Sequence, residues 1–373
     1  MAGIGLARVT DTLAQWPEHP LRALPRLAAM GLLALFLGLS VWNISSLGHR
    51  EVAQQRDIAH RKAHHESLDK DLYHAINMRV AKGENYYHAA LAEQRARHYP
   101  TTPFVTVRTP IVAWVSALVG EQGWRLIAAI LWGANLLVWL AILKPPLRWW
   151  ERFGGAALVG YGGIIAFAHT VVFSHETLAG LFLGLALALS RSRVWPIGLI
   201  LAVVAVAIRE LALPFLLLWA VLAVVEGRKR EALAVTGGIV LIAIGLAFHA
   251  AAVAAARMPG DLVSPPWTGL MGLSLPFYGI SETTLLVMLK SWAAGPLCVL
   301  PLLGWWGLGG RFGLFASLWY TGFIAFVAIF ARQENFYWMA MLVPAYLAGL
   351  AFLPRALVDF VSAIRRTPAM ATN

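Results

Sequence analysis

The sequence alternates long apolar runs with short polar links over most of its length. Only helices and closed barrels satisfy every backbone hydrogen bond inside lipid, so this pattern predicts an all-α polytopic membrane protein. The stretch 104–119 is apolar but short, and it follows a proline-rich turn, as a re-entrant or interfacial helix would. A helix needs about 20 apolar residues to cross a bilayer, and ten runs are candidates: 27–47, 124–143, 153–174, 177–190, 194–208, 211–225, 232–256, 285–304, 314–331 and 337–353.

Lysine and arginine are divided unevenly between alternate links. With the N-terminus in the cytoplasm, the inner segments hold fifteen of these residues and the short outer links hold four. Because short cytoplasmic loops carry the excess of positive charge, both termini are predicted to be cytoplasmic. The chain then has a cytoplasmic segment 1–26, a transmembrane domain 27–353 that includes an extracytoplasmic first loop 48–123, and a basic cytoplasmic tail 354–373.

Composition supports this class and excludes others. The chain is 59% hydrophobic and only 13% charged, whereas soluble domains are usually about a quarter charged. The net charge of +11 is spread over short links, which argues against a nucleic-acid partner. The single cysteine, Cys298, permits no intrachain disulfide. The compact size and the lack of sorting signals favour a bacterial inner membrane.

The first loop contains an unusually polar stretch, 67–110, with two aspartates near its start. Asp69 and Tyr73 are four residues apart and share one face of a predicted helix, while Asp71 lies between them. A carboxylate at a helix start beside a cavity can act as a general base. Both aspartates can equally be helix caps that the helix dipole stabilises, and the two roles can coexist.

Two charged pairs lie at predicted outer turns. Arg209 and Glu210 join two apolar runs that are short for a bilayer crossing, so their charges are expected below the membrane surface. His175 and Glu176 lie at the turn of the preceding pair of runs. Charges at that depth face a protein-lined or wet cavity, because exposure to lipid costs several kcal/mol. The alternative for Arg209 and Glu210 is a structural ion pair.

A third polar turn and one further arginine complete the set of candidates. Arg332, Glu334, Asn335 and Tyr337 form the last predicted outer turn, where the arginine could contact a phosphate or a lipid headgroup. Arg108 follows the proline-rich stretch and has the same two alternatives, bidentate phosphate binding or extension to the headgroups. All three turns are predicted on the same side of the membrane as the long loop.

The stretch after the first span resembles the first outer loop of integral-membrane glycosyltransferases of the GT-C superfamily. The resemblance consists of one span followed by a long loop with aspartates, a nearby tyrosine, a glycine one helix later and a proline-rich aromatic ending. The topology of most of the chain fits as well. The matching residues are Asp69, Asp71, Tyr73, Gly83, Tyr86, Tyr87, Tyr99, Pro100, Pro103 and Pro110.

The resemblance implies transfer of a sugar from a polyprenyl-phosphate donor to an acceptor glycan, lipid or protein at the extracytoplasmic face. It implies a catalytic aspartate in the first outer loop, Asp69 or Asp71, and donor-phosphate contacts from Arg209 and Arg332, to which the sequence adds Arg108. The supporting cavity residues are then Tyr73, His175, Glu176, Glu210, Glu334, Asn335 and Tyr337. Carboxylates could hold Mg or Mn, or arginine could neutralise the phosphate without metal, and the metal question stays open.

Other functions have different sequence requirements. The chain has no P-loop, Rossmann fingerprint or nucleophile elbow, so ATP-driven transport has no support. A flippase or transporter of lipid-linked saccharides would also use aromatic and arginine side chains, but it needs no base at Asp69 or Asp71. If the protein is instead a non-catalytic partner in a membrane assembly, the residues of the outer polar turns could be substituted without loss of function.

Overall fold

The computed structural model describes residues 13, 15–63, 69–144, 146–167 and 174–366, without the side chains of residues 54, 56–63, 69 and 70. About 80% of the chain is helical, and this described part contains no β-strand. The predicted all-α class is confirmed.

Helices of very different length make up the described part. The α-helices are α1 (Arg26–Ala63), α2 (Asp69–Ala81), α3 (Tyr86–Ala96), α4 (Ile111–Ile142), α5 (Trp149–Gly163), α6 (His175–Leu189), α7 (Trp195–Ile208), α8 (Leu213–Val225), α9 (Lys229–Ala255), α10 (Ser274–Glu282), α11 (Ser291–Leu308), α12 (Gly310–Phe330) and α13 (Gly349–Arg365). The short 3-10 helices are Leu21–Ala23, Phe104–Thr106, Ile164–Phe167, Glu210–Ala212, Leu285–Met288, Gln333–Leu342 and Ala345–Ala348.

Some of these helices have the length and hydropathy of membrane spans. Among the described residues, five qualify: Arg26–Ala53, Phe104–Ile142, Lys229–Ala255, Gly310–Phe330 and Ala345–Arg365. Large apolar side chains on them are exposed, which suits contact with lipid. The chain is therefore an α-helical membrane protein.

The predicted pair of short helices at 194–208 and 211–225 is present as α7 and α8. Proline near the first turn of each helix has no backbone N–H to lose there and favours helix initiation. Arg209 ends α7 with extended backbone dihedral angles, so the chain reverses at this residue.

Several predicted boundaries differ from the structure. Residues 111–119 of the stretch 104–119 and nearly all of the span 124–143 belong to one helix, α4, which is broken at Gly120, where φ is 66°. Residues 104–106 form a separate 3-10 helix. The last predicted span, 337–353, is mostly 3-10 helix, and the long helix α13 begins only at Gly349. In this irregular segment the backbone packs against glycines: a Cβ atom on Gly180 would overlap the carbonyl oxygens of Ala340 and Val343.

The bundle has two ends that carry different elements. The loop end carries α2, α3 and residues 99–110, which enclose a small apolar core of their own that includes Leu72 and Ile76. The terminal end carries residues 15–25 and the last turns of α13, which pack together. The main core between the two ends is rich in aromatic side chains such as Trp139 and Trp305.

Candidate functional site

A buried ionic cluster lies at the loop end, centred on Arg209. Its Nε lies 2.6 Å from Oε1 of Glu176, and its Nη1 donates to the carboxylate of Glu210. The side chain of Arg209 is only 2% exposed and that of Glu176 only 5%. Buried ions need partners to offset the loss of hydration, and Arg209 is the partner of both carboxylates.

Local structure explains why Glu176 and Arg209 meet. Ser174 caps the start of α6, where its hydroxyl accepts from the backbone N–H of Thr177 at 3.2 Å. Glu176 is therefore in the first turn of α6, where the helix dipole favours a negative charge. Arg209 sits at the end of α7, and α6 and α7 pack closely along their lengths.

Arg108 enters the same cluster from the first loop. Its Nη2 lies 3.6 Å from Oε1 of Glu176 and 3.5 Å from the hydroxyl of Tyr337, and its guanidinium lies 5.9 Å from the ring centroid of Tyr73. Its Nε is buried and makes no hydrogen bond within the described chain. Arg108 therefore brings a charged donor with unused hydrogen-bonding capacity.

Hydrogen bonds from three directions fix the backbone around Arg108. The hydroxyl of Tyr86 on α3 donates to its carbonyl at 2.6 Å, and Thr109 donates to the carbonyl of Ala207 at 2.6 Å. His249 on α9 lies 3.0 Å from the carbonyl of Val107 through Nε2. Burial raises the pKa of the Tyr86 hydroxyl, so it stays protonated and able to donate.

Aromatic side chains form the wall of the cluster. The rings of Tyr73 and His175 lie 4.9 Å apart between centroids. The guanidinium of Arg209 lies 6.0 Å from the ring of Trp338, whose indole Nε1 is buried and has no hydrogen-bond acceptor in the described part. The 3-10 helix Gln333–Leu342 thus delivers both Tyr337 and Trp338 to the site.

The two candidate aspartates take different positions on α2. The helix begins at Asp69, one turn before Tyr73, which corresponds to about 6 Å between the two Cα atoms. The side chain of Asp69 lies outside the described residues. Asp71 is exposed and two residues from Tyr73, which in a helix places it on the other side from the tyrosine.

The remaining predicted residues lie beside the cluster. Arg332 pairs with Glu334 at 2.9 Å and donates to the carbonyl of Pro265 at 3.2 Å. Asn335 accepts from the backbone N–H of Arg332 at 3.2 Å and so caps the 3-10 helix. These contacts give Arg332 and Glu334 a place at the rim, whereas Tyr337 reaches the centre.

An ion pair, here called the clamp, joins α3 in the first loop to the segment after α9. Arg95 on α3 lies 2.6 Å from Asp261, and it also donates to the carbonyl of Ala256 after α9. The hydrogen bonds with Arg95 lower the pKa of Asp261 to about 2. Beside this ion pair, the backbone N–H of Thr101 donates to the carbonyl of Leu262 and that of Ser264 donates to the carbonyl of Thr102.

The described residues include no group of three or more metal-ligating side chains. Glu176 and Glu210 both bind the guanidinium of Arg209. In this cluster, therefore, an arginine is the cation that neutralises these two carboxylates. The metal question that the sequence left open concerns Asp69 as well, whose side chain is not described.

Sequence reasoning missed three residues that build this site. Trp338 contacts Arg209, Thr109 ties the loop to α7, and His249 supports the backbone beside Arg108. A histidine in the middle of an apolar run is a usable signal, because ionisable residues within spans usually have a partner. Thr109 and Trp338 carry no such signal in the sequence.

Comparison with protein-family models, with curated proteins and with solved structures gives no match for this chain. Membership of the GT-C superfamily therefore stays a prediction from the first loop and the topology.

Proposed function

We propose that this protein is a membrane glycosyltransferase that transfers a sugar from a polyprenyl-phosphate donor to an acceptor glycan, lipid or protein. The observation that carries the proposal is Arg108, a buried guanidinium with an unused Nε beside the Glu176–Arg209 pair. Transfer from a lipid phosphate needs cationic donors where charge develops on the departing phosphate, and Arg108 meets that need.

The proposal includes the membrane topology. Ten spans with both termini in the cytoplasm would put the loop end, and therefore the site, at the extracytoplasmic face, in agreement with the division of lysine and arginine. A donor held in the bilayer by its polyprenyl chain then reaches the cluster from the side. A bacterial inner membrane is the proposed location.

The proposed chemistry is an inverting displacement at the anomeric carbon of the sugar. A carboxylate takes the proton of the acceptor hydroxyl, whose oxygen forms the new bond to that carbon. The bond between the carbon and the phosphate oxygen breaks, and its electron pair stays on the phosphate, where Arg108 and Arg209 stabilise the charge. The register of α2 favours Asp69 as the base, because Asp69 shares a helix face with Tyr73 and Asp71 does not.

The test compares the two aspartates in the purified full-length protein, supplied with polyprenyl-phosphate sugars and a panel of acceptors. Asp69→Asn should reduce transfer by about 10²–10⁴-fold, the usual contribution of a general base. Asp71→Asn, two positions away on the same helix, is the matched control and should retain most activity. If both single variants and the double variant transfer sugar as the wild type does, the base assignment is wrong.

A second readout separates this function from transport. The same protein in vesicles should release sugar from the donor only when an acceptor is present. Movement of lipid-linked sugar between leaflets without any release would contradict an enzyme and support a flippase.

A further inference from the structure

A groove lies along α1 at the loop end, separate from the ionic cluster. It has a volume of about 380 Å³. Its lining combines a tryptophan, three serines and two basic side chains, namely Trp42, Ser45, Ser46, His49, Arg50 and Ser274. The combination of hydroxyl donors and a guanidinium suits an anionic group, since charge-assisted hydrogen bonds are the stronger ones.

Arg50 is the main cation of this groove and has only neutral partners. Its Nε donates to the hydroxyl of Ser274 at 3.1 Å, its Nη1 to the side-chain oxygen of Gln333, and its Nη2 lies 3.5 Å from the carbonyl of Met271. Among the described residues, no carboxylate lies within ion-pair distance of Arg50. Its charge therefore has no counterion of its own.

Two other arginines at the loop end, Arg79 and Arg95, differ in this respect. Arg79 pairs with Glu84, and Arg95 pairs with Asp261. A half-buried guanidinium without a carboxylate attracts an external anion more strongly than one that is already neutralised.

The acidic residues nearest in sequence face elsewhere. Glu51 follows Arg50, but it lies 3.4 Å from the hydroxyl of Ser291 on α11. Glu282 ends α10, eight residues beyond Ser274, which corresponds to about 12 Å along the helix. Both carboxylates interact electrostatically with the hydroxyl of Tyr278, as Arg50 also does, but neither lies within ion-pair distance of Arg50.

The depth of Arg50 in the membrane can be read along α1. The helix rises about 24 Å between Arg26 and Trp42 and about 12 Å more to Arg50, so a bilayer core of about 30 Å ends between the two. The exposed rings of Trp42 and of Trp292 on the adjacent α11 mark the same level, where tryptophan is enriched at membrane interfaces.

We propose that this groove binds the phosphodiester of an anionic glycerophospholipid from the surrounding leaflet. Arg50 contacts a phosphate oxygen through the Nη1 hydrogen that its present partners leave free. The hydroxyl of Ser46 donates to the phosphate, and Trp42 lies against the acyl chains at the interface. Arg50 also donates to Gln333, which begins the 3-10 helix that carries Tyr337. By fixing Arg50, the bound lipid stabilises this helix, which extends to the ionic cluster. The inference is independent of the glycosyltransferase proposal, because it needs neither a donor sugar nor Asp69.

The test uses the purified full-length protein in nanodiscs that contain equal amounts of phosphatidylglycerol and phosphatidylcholine. After transfer to detergent, native mass spectrometry counts the lipids that each protein molecule retains. Wild type should retain phosphatidylglycerol in preference, and Arg50→Gln should weaken that retention by about tenfold, as expected for losing charged hydrogen bonds. Arg26→Gln removes an exposed arginine at the other end of α1 and is the matched control.

Two further arms locate the bound lipid and test its chemical class. A photoreactive phosphatidylglycerol should label the wild-type segment from Trp42 to Arg50, which tests the site in the unmodified protein. Labelling elsewhere, or equal retention by wild type and Arg50→Gln, overturns the proposal. Inorganic phosphate is the competitor: if it displaces the lipid at millimolar concentration, the site is one for free phosphate and the lipid assignment is wrong.

Discussion

Two clusters of buried charge, one around Glu151 and Asp359 and the other around Arg209, are paired in different ways. At the terminal end, Arg355 binds Glu151 through two hydrogen bonds of 2.7 and 3.0 Å. Both oxygens of the fully buried Asp359 are also engaged, one with Arg22 at 3.0 Å and the other with His19 at 3.0 Å. These contacts connect segments far apart in the chain and satisfy each carboxylate.

At the loop end the pairing is incomplete. Arg209 binds two glutamates, but Arg108 approaches Glu176 only to 3.6 Å and keeps a buried Nε without an acceptor among the described residues. The difference between these two clusters indicates that Glu151 and Asp359 use their charges to hold helices together, whereas the cluster around Arg108 keeps hydrogen-bonding capacity for a ligand.

Breaking the ion pair at the terminal end should have the largest effect on stability. Arg355→Gln leaves the carboxylate of Glu151, 2% exposed, without its charged partner, and such a loss typically costs about 3–5 kcal/mol. Unfolding of the purified protein in mixed micelles measures the change. Arg26→Gln, at an exposed position, is the control, and a loss below about 1 kcal/mol for Arg355→Gln would show that the pair is not a structural clamp.

The same substitution in Arg108 should act on catalysis. Under the proposed function, Arg108→Gln should lower kcat/KM for sugar transfer by about 10²–10³-fold, as loss of one preorganised donor does. Its effect on unfolding should be smaller than that of Arg355→Gln, because Arg108 has no close ion pair to lose. If folded Arg108→Gln transfers sugar as fast as the folded wild type, Arg108 does not bind the donor phosphate, and the proposed difference between the two charge clusters is wrong.

A backbone contact under the site should have an intermediate effect. Gly180→Ala places a methyl group against two carbonyl oxygens of the segment that follows Tyr337, and overpacking of this kind costs about 1–3 kcal/mol. Gly237→Ala is the matched control, since a Cβ atom there meets nothing within 4 Å and alanine favours a helix. If the two variants unfold alike, the close approach does not constrain the segment.

The clamp between Arg95 and Asp261 should give the smallest effect, and one that depends on pH. The pKa of Asp261 is lowered to about 2, below the value of about 3.9 in an unfolded chain. The unfolded state therefore takes up the proton first as the pH falls, and stability is lost between about pH 4 and pH 2.

The comparison of wild type with Asp261→Asn measures that contribution. We expect a difference of about 1 kcal/mol that is constant above about pH 4 and shrinks below it. Hydrogen exchange of the α3 amides, followed from pH 5 downward, reports the difference. If the difference in stability between the two proteins stays constant down to pH 3, it does not arise from the titration of Asp261.

Several features of the site were predictable from single positions. Arg209, Glu210 and Glu176 stood out as charges between short apolar runs, and the structure brings all three into one cluster. Tyr73 and Tyr337 were predicted near them, and both contact Arg108. Their proposed roles in catalysis remain predictions.

Other features depended on contacts that no local pattern encodes. The break of α4 at Gly120 and the 3-10 path between Gln333 and Ala348 follow from packing of backbone against backbone, which hydropathy does not measure. The position of Arg332 at the rim was equally unpredictable, because its partner Pro265 is distant in the sequence.

The sequence by itself determined that the chain is an α-helical membrane protein and that Arg209 and Glu210 lie between two short apolar helices. Lipid enforces both, since it excludes unpaired backbone groups and makes an isolated charge costly. Only the tertiary structure decided which charges meet. It showed that Glu176 engages Arg209 and that Arg108 keeps an unused donor. It also showed that Arg50 has no carboxylate partner among the described residues. Ion pairs form between residues far apart in the chain, and their partners are fixed by how the helices pack.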